Sequence, residues 1–200
     1  RLVGSEMCIR DRWNAEEGLI LPSSLVESNS GEKSLGGQLL PVSWQSLHHD
    51  EGLLENSLEP SIVAIIDAPQ LAERPGKLVE AIDAIRRRFP TSLIWTPGIG
   101  GPDNCALLSW MGVDLFDLSR SREAVARGII LTEDGPREPE STAGEISDLQ
   151  TQLEAWKRAL GATRSAIREG TIRQLAERQA LSSPRSVERL RRHDSMMSEK

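Results

Sequence analysis

Cysteine is scarce in this sequence, with two residues in 200, and histidine nearly so, with three. That is too little cysteine for a disulfide framework, which fits a reducing cytosol and leads us to expect a cytoplasmic protein. No apolar run approaches the roughly 20 residues that a membrane-spanning helix needs. No signal peptide is visible either, so no membrane partner is expected. The phosphate-cradling pattern G-x-x-x-x-G-K-[ST] is absent, and with it the usual sequence case for a bound nucleotide. His48-His49-Asp50-Glu51 has metal-ligand residue types. Adjacent histidines diverge on any regular element, however, and no further His lies nearby, so the stretch reads as exposed loop. We expect no metal and no cofactor.

The two cysteines have different settings. Cys8 lies in residues 1–12, RLVGSEMCIRDR, whose MCIRDR run resembles the translation of a sequencing-adapter end. These twelve residues are set aside from the fold reading, which puts the natural N-terminus outside the sequence; the alternative is a basic N-terminal tail. Cys105 opens an apolar helical pattern, Cys105 to Met111, where a lone cysteine reads as a small core residue.

Charge is split between the two parts of the chain. Residues 151–200 hold 11 Lys and Arg against 6 Asp and Glu, a net +5, leaving −11 on the first 150. A basic tail could contact RNA, with ordinary solvated helix charge as the plainer alternative. At 200 residues the chain is long enough for one domain with a real core.

Residues 61–68, SIVAIIDA, form a continuous β-branched run that reads as a central strand buried on both faces. Residues 75–89 keep Leu78, Val79, Ile82 and Ile85 at helical spacing, with Arg86-Arg87-Arg88 either contacting RNA or complementing the helix dipole. Residues 92–132 carry the densest pattern. Leu93-Ile94-Trp95 is a strand, and Gly98, Gly100, Gly101 and Pro102 make a loop. A helix follows to Gly112, then a short strand Val113 to Asp117, a helix from Arg120 to Arg127, and a last strand from Ile129. Gly112 and Gly128 sit where helix ends want positive φ. Strands alternating with helices predict parallel pairing and an α/β fold. Residues 137–144 read as loop. From Ile146 a helix places Leu149, Leu153, Trp156, Leu160 and Ile167 on one stripe, with Gly161 kinking or dividing it. Two further amphipathic helices follow, the last capped by Ser182-Ser183-Pro184.

GVDLFD, a polar helix ending in ARG, and an apolar strand with LT resemble the tRNA-guanine transglycosylase superfamily, and within it the transglycosylase-like domain of archaeosine synthase. The resemblance covers roughly residues 60–132, and more loosely the segment after Glu169. It implies a partial (β/α)8 TIM-barrel-like domain over residues 13–135, a linker over 136–145 and a helical tail over 146–200, since a complete barrel usually needs about 250 residues. It also implies tRNA and a 7-deazaguanine-type base as partners. Base exchange is substitution at an anomeric carbon, for which a carboxylate nucleophile and an acid/base partner serve. Carried over by residue, the nucleophile is Asp117, with Asp114 structural. Asp67, at the end of its strand, and Gly98, Gly100 and Gly101 take substrate-binding positions. The glycines have a plainer reading as a tight turn, and Asp67 as a loop cap.

Two family features are not found in the sequence: the Asp-Ser/Ala-Gly-Gly segment that supplies the second carboxylate, and the Cys-x-Cys-x-x-Cys zinc cluster. The resemblance to archaeosine synthase-type proteins implies tRNA modification by a domain that need not itself exchange bases. The alternatives are an active exchanger whose general base lies upstream of this sequence, or a non-catalytic subunit pairing with a catalytic homologue through the Trp156 helix. Open sheet edges predict association with like or unlike copies.

Overall fold

A computed structural model of the protein describes residues 39–44, 47, 60–140 and 144–198. The readings on residues 1–12 and on His48 to Glu51 lie outside the described residues.

The β-branched run is the centre of the fold. Strand β2 (Ile62–Ile65) lies between β1 (Leu39–Val42) and β3 (Leu93–Trp95) in a parallel sheet. Val63 and Ile65 join the main core, while Ala64 joins Leu39 and Trp95 in a smaller cluster, so both faces of β2 are apolar. Asp67 leads into a five-residue helix, α1 (Ala68–Ala72), which the sequence reading did not contain.

Helix α2 (Lys77–Arg88) buries Leu78, Val79, Ile82 and Ile85, the four residues its spacing nominated. Each fully buried side chain of this size contributes roughly 1.5–3 kcal/mol. Arg86 turns inward: Nη1 donates to Ser92 O (2.6 Å), Nη2 to Gly112 O (2.6 Å), and the guanidinium pairs with Asp114. Its work is to fasten α2 to the chain around β3. Arg87 pairs with Asp83 at 2.7 Å.

Helix α3 (Cys105–Met111) ends at Gly112 with φ +106°, and α4 (Ser119–Ala126) is followed by Gly128 at +70°. Between them the expected strand shrinks to one parallel bridge, Trp95 to Leu115. Asp114 accounts for this. Its carboxylate accepts from Ile94 N at 2.8 Å, a ladder position that a backbone carbonyl would otherwise fill.

The strand expected to extend the parallel array does not do so. β4 (Ile130–Thr132) pairs antiparallel with β5 (Gly135–Arg137). Only Glu133 and Asp134 separate them, and a two-residue loop can join antiparallel strands only. Thr132 Oγ1 donates to Gly135 O (2.8 Å) and accepts from Asp134 N (3.3 Å). Among the described residues the fold is therefore mixed α/β with an open three-stranded parallel sheet and a separate hairpin, and no closed barrel. The expected loop after Arg137 is partly fastened, because the Arg137 guanidinium donates to both Glu145 oxygens (2.6 and 2.7 Å).

Helix α5 (Leu149–Arg168) runs unbroken through Gly161, so the glycine neither kinks nor divides it. Its buried face is Gln152, Ala155, Trp156, Ala159, Thr163 and Ala166. That face is about a quarter turn from the expected stripe at 100° per residue; Leu149 and Ile167 are left exposed. Small residues let α5 approach α3 closely, and Cys105 Sγ stands 3.4 Å from Thr163 Oγ1. Gln152 is buried because it serves the hairpin, accepting from Leu131 N (3.3 Å) and donating to Ile129 O (2.9 Å). Helices α6 (Ile172–Ala180) and α7 (Pro184–Ser198) complete the fold, with Ala176, Ala180 and Leu190 in the main core beside Ile99 and Leu107.

Candidate functional site

In open parallel sheets, ligands bind at the carboxyl ends of the strands. Here that edge carries Ser43 and Trp44 after β1, Asp67 after β2, Thr96 to Gly98 after β3, and Asp117 after the Leu115 bridge.

Asp117 is partly exposed. Its Oδ2 accepts from Gly98 N (2.8 Å) and Trp95 Nε1 (3.4 Å), and its Oδ1 from Ser119 N (2.8 Å). Gly98 can aim its N–H at that carboxylate because it adopts φ +80°, which other residues rarely tolerate. A Cβ on Gly98 would stand 3.5 Å from Pro69 Cγ, so the turn after β3 touches the segment after Asp67. Asp67 Oδ2 accepts from Trp44 N (3.0 Å), tying the ends of β1 and β2 together across 23 positions of sequence. Its side chain thus links two strand ends instead of capping its own loop. Thr96 is buried, and its hydroxyl has no hydrogen-bond partner among the described residues.

The structure therefore gathers Asp67, Gly98 and Asp117 on one edge. Gly100 and Gly101 are buried behind it. A Cβ on Gly100 would stand 2.7 Å from Phe116 Cδ1, and one on Gly101 would collide with Asp103 Oδ1 and Arg120 Nη1. Both glycines admit neighbouring side chains to the turn. Asn104 folds that turn, accepting from Gly101 N (2.8 Å) and donating to Ile99 O (2.9 Å). Arg120 locks it with a paired contact to Asp103 (2.8 and 2.9 Å).

Three supports of the site escaped sequence reasoning. Gln179, buried on α6, accepts from Ala106 N (2.8 Å) and Leu107 N (3.2 Å) and donates to Pro102 O (2.9 Å). It satisfies the free N–H groups at the start of α3, just beyond the glycine turn. Trp156 packs on Phe116 with ring centres 5.8 Å apart and donates to Ser121 Oγ (2.8 Å). Buried in this way, the ring itself offers no surface for a partner subunit. Arg120 is the third, and its pairing with Asp103 joins residues 17 apart. The available signal was a glutamine or tryptophan recurring on an otherwise small, apolar helix face.

Cys105 takes no part in chemistry at this edge. It is fully buried, and burial pushes its thiol pKa up, away from the reactive thiolate.

A carboxylate offers about four acceptor positions, and donors fill three of those on Asp117. The group is fixed in place with one direction open. The open direction can accept a further N–H donor. A scan against protein-family models finds no match to the chain, and a search of the curated proteins finds none either.

Proposed function

We propose that this chain is a transglycosylase-like domain of the archaeosine synthase type, acting in tRNA modification, whose strand-end rim holds a 7-deazaguanine-type base without exchanging it. The observation that carries the reading is the Asp117 carboxylate, fixed by Gly98 N at the carboxyl edge of the parallel sheet beside the Asp67 segment. An N–H edge of a purine-like base is the complement of the acceptor position left open on Asp117. Loss of exchange is supported by the bonds already occupying the carboxylate. The finer fold reading, a partial (β/α)8 barrel, accompanies this proposal, as does association through open sheet edges.

The test incubates the protein with a tRNA transcript and a labelled 7-deazaguanine base, and reads retention of the base and covalent attachment of RNA separately. Retained base without a covalent adduct is expected. Asp117→Asn, which keeps an oxygen for Gly98 N but loses the charge, should retain at least about tenfold less base, the worth of one charge-assisted hydrogen bond. A covalent adduct in the parent would replace this reading with active exchange. Undiminished retention in the variant would remove Asp117 from the site.

A further inference from the structure

Helix α5 differs from the other long helices in how its charges are held. Helices α2, α4, α6 and α7 each place a cation against a carboxylate: Lys77 on Glu80, Arg120 on Asp103, Arg173 on Glu177 and Arg185 on Glu73. Helix α5 exposes Lys157, Arg158, Arg164 and Arg168, and none of them forms an ion pair with a described residue. Its one acidic residue, Glu154, accepts from Gln150 Nε2 at 2.9 Å.

Lys157, Arg164 and Arg168 stand at i, i+7 and i+11, within about 40° of one another around the axis. The line is about 16 Å long at 1.5 Å per residue. One strand of a duplex presents about five phosphates over that length, at 3.4 Å each. Gly161 lies on the same line, and no atom falls within 4 Å of where its Cβ would stand. Packing gives no reason for this glycine. A bare backbone there lets another chain come close to the helix between Lys157 and Arg164. Arg164 and Arg168 are like charges one turn apart, an arrangement that opposes helix formation unless a partner neutralises it.

The type of partner follows from what shares the face. Protein interfaces centre on aromatic or apolar anchors, and single-stranded nucleic acid is held by stacking on aromatic rings. The one aromatic residue of α5, Trp156, is buried. The exposed apolar residues of α5, Leu149 and Ile167, stand about 80° around the axis from the line; along the line itself is a row of cations, and guanidinium forks match phosphate oxygens in pairs. Residues 151–200 carry a net +5 against −11 for the rest, so a polyanion is drawn to this part of the molecule. Trp156 also touches Phe116, next to Asp117, so α5 packs behind the strand-end site with its cation line facing outward.

We infer that the line Lys157–Gly161–Arg164–Arg168, flanked by Arg158, binds the phosphodiester backbone of a base-paired polynucleotide, in this protein an RNA. The choice of RNA rests on the tRNA reading above; the line itself does not depend on Asp117.

The test titrates the full chain and its K157Q/R164Q/R168Q variant with a fluorescent RNA duplex of arbitrary sequence over a salt series. A DNA duplex of the same sequence and poly-glutamate serve as competitors. Glutamine has nearly the helix propensity of lysine and arginine, so circular dichroism should stay unchanged. Parent binding should be indifferent to sequence, and the variant should bind about tenfold or more weakly at low salt, its log–log salt slope reduced by about 2 to 3. Equal affinity and slope in the two proteins would overturn the inference. Displacement of RNA by poly-glutamate at matched charge would make the line a site for acidic protein and overturn it too, and tighter binding of DNA would overturn the choice of RNA. Base retention unaffected by Asp117→Asn, with duplex binding still lost in the triple variant, would remove the base reading and leave this one standing.

Discussion

Gln179 is the side chain on which the start of α3, and with it the glycine turn, depends most. Truncation to alanine leaves Ala106 N, Leu107 N and Pro102 O without their partner, and Ala106 and Leu107 are 0% and 1% exposed. A buried group left unsatisfied costs roughly 1–3 kcal/mol. A cavity of about 250 Å³ adjoins Gln179, lined by Glu133, Asp134, Arg178, Leu181 and Ser182, and water entering through it recovers part of the loss. The expected destabilisation is therefore about 2–4 kcal/mol, at or just below the low end of the simple sum of about 3–9 kcal/mol for the three groups. Gln179→Glu keeps an acceptor for both N–H groups and places a carboxylate at a helix N-terminus, worth about 0.3–1 kcal/mol. It faces Pro102 O without a proton to donate, so a net loss of about 1–2 kcal/mol is expected. Gln179→Met fills the space and keeps water from the stranded donors, so it should cost at least as much as alanine. Urea unfolding followed by tryptophan fluorescence ranks the three. An alanine variant within about 0.5 kcal/mol of the parent, the range of an ordinary surface change, or a methionine variant more stable than the glutamate one, would refute the capping role.

Gly161→Ala should raise stability by about 1 kcal/mol in the same assay, because the glycine is helical, open on its outer side and free of positive φ. Gly100→Ala should lower it by about 1–3 kcal/mol, since the new methyl forces Phe116 off Trp156; unchanged near-ultraviolet dichroism would contradict this. The Arg137 guanidinium holds the Glu145 carboxyl at about 2, below its ordinary 4.5. A depressed acid stabilises the fold above its unfolded pKa, so the link between β5 and the segment that precedes α5 should be intact above about pH 4.5 and lost as pH falls through about 2. Carboxyl NMR should show this, with Arg137→Gln returning Glu145 toward its ordinary titration.

Periodicity and turn chemistry carried much of the fold into view. The β2 run and the α2 spacing are dominated by large apolar side chains whose burial has one solution, and the structure has both. The errors occur where polar groups decide the outcome. Asp114 took a backbone partner and shortened a strand, and a two-residue loop turned β4 back on β5. Gln152 drew α5 onto its small-residue face because two hairpin backbone groups needed it. At the candidate site the resemblance nominated Gly98 and Asp117, and the end of its strand nominated Asp67; all three stand at the same sheet edge. The reason for Gly100 and Gly101 was not legible, because Phe116, Asp103 and Arg120 reach them only in three dimensions.

The most direct measurement is equilibrium retention of a labelled 7-deazaguanine base, in the presence of tRNA, by the parent and by Asp117→Asn, with both proteins shown to be folded. Micromolar retention by the parent, without covalent RNA and at least about tenfold weaker in the variant, is the predicted result. Equal retention by the two proteins, or none by the parent, would contradict it.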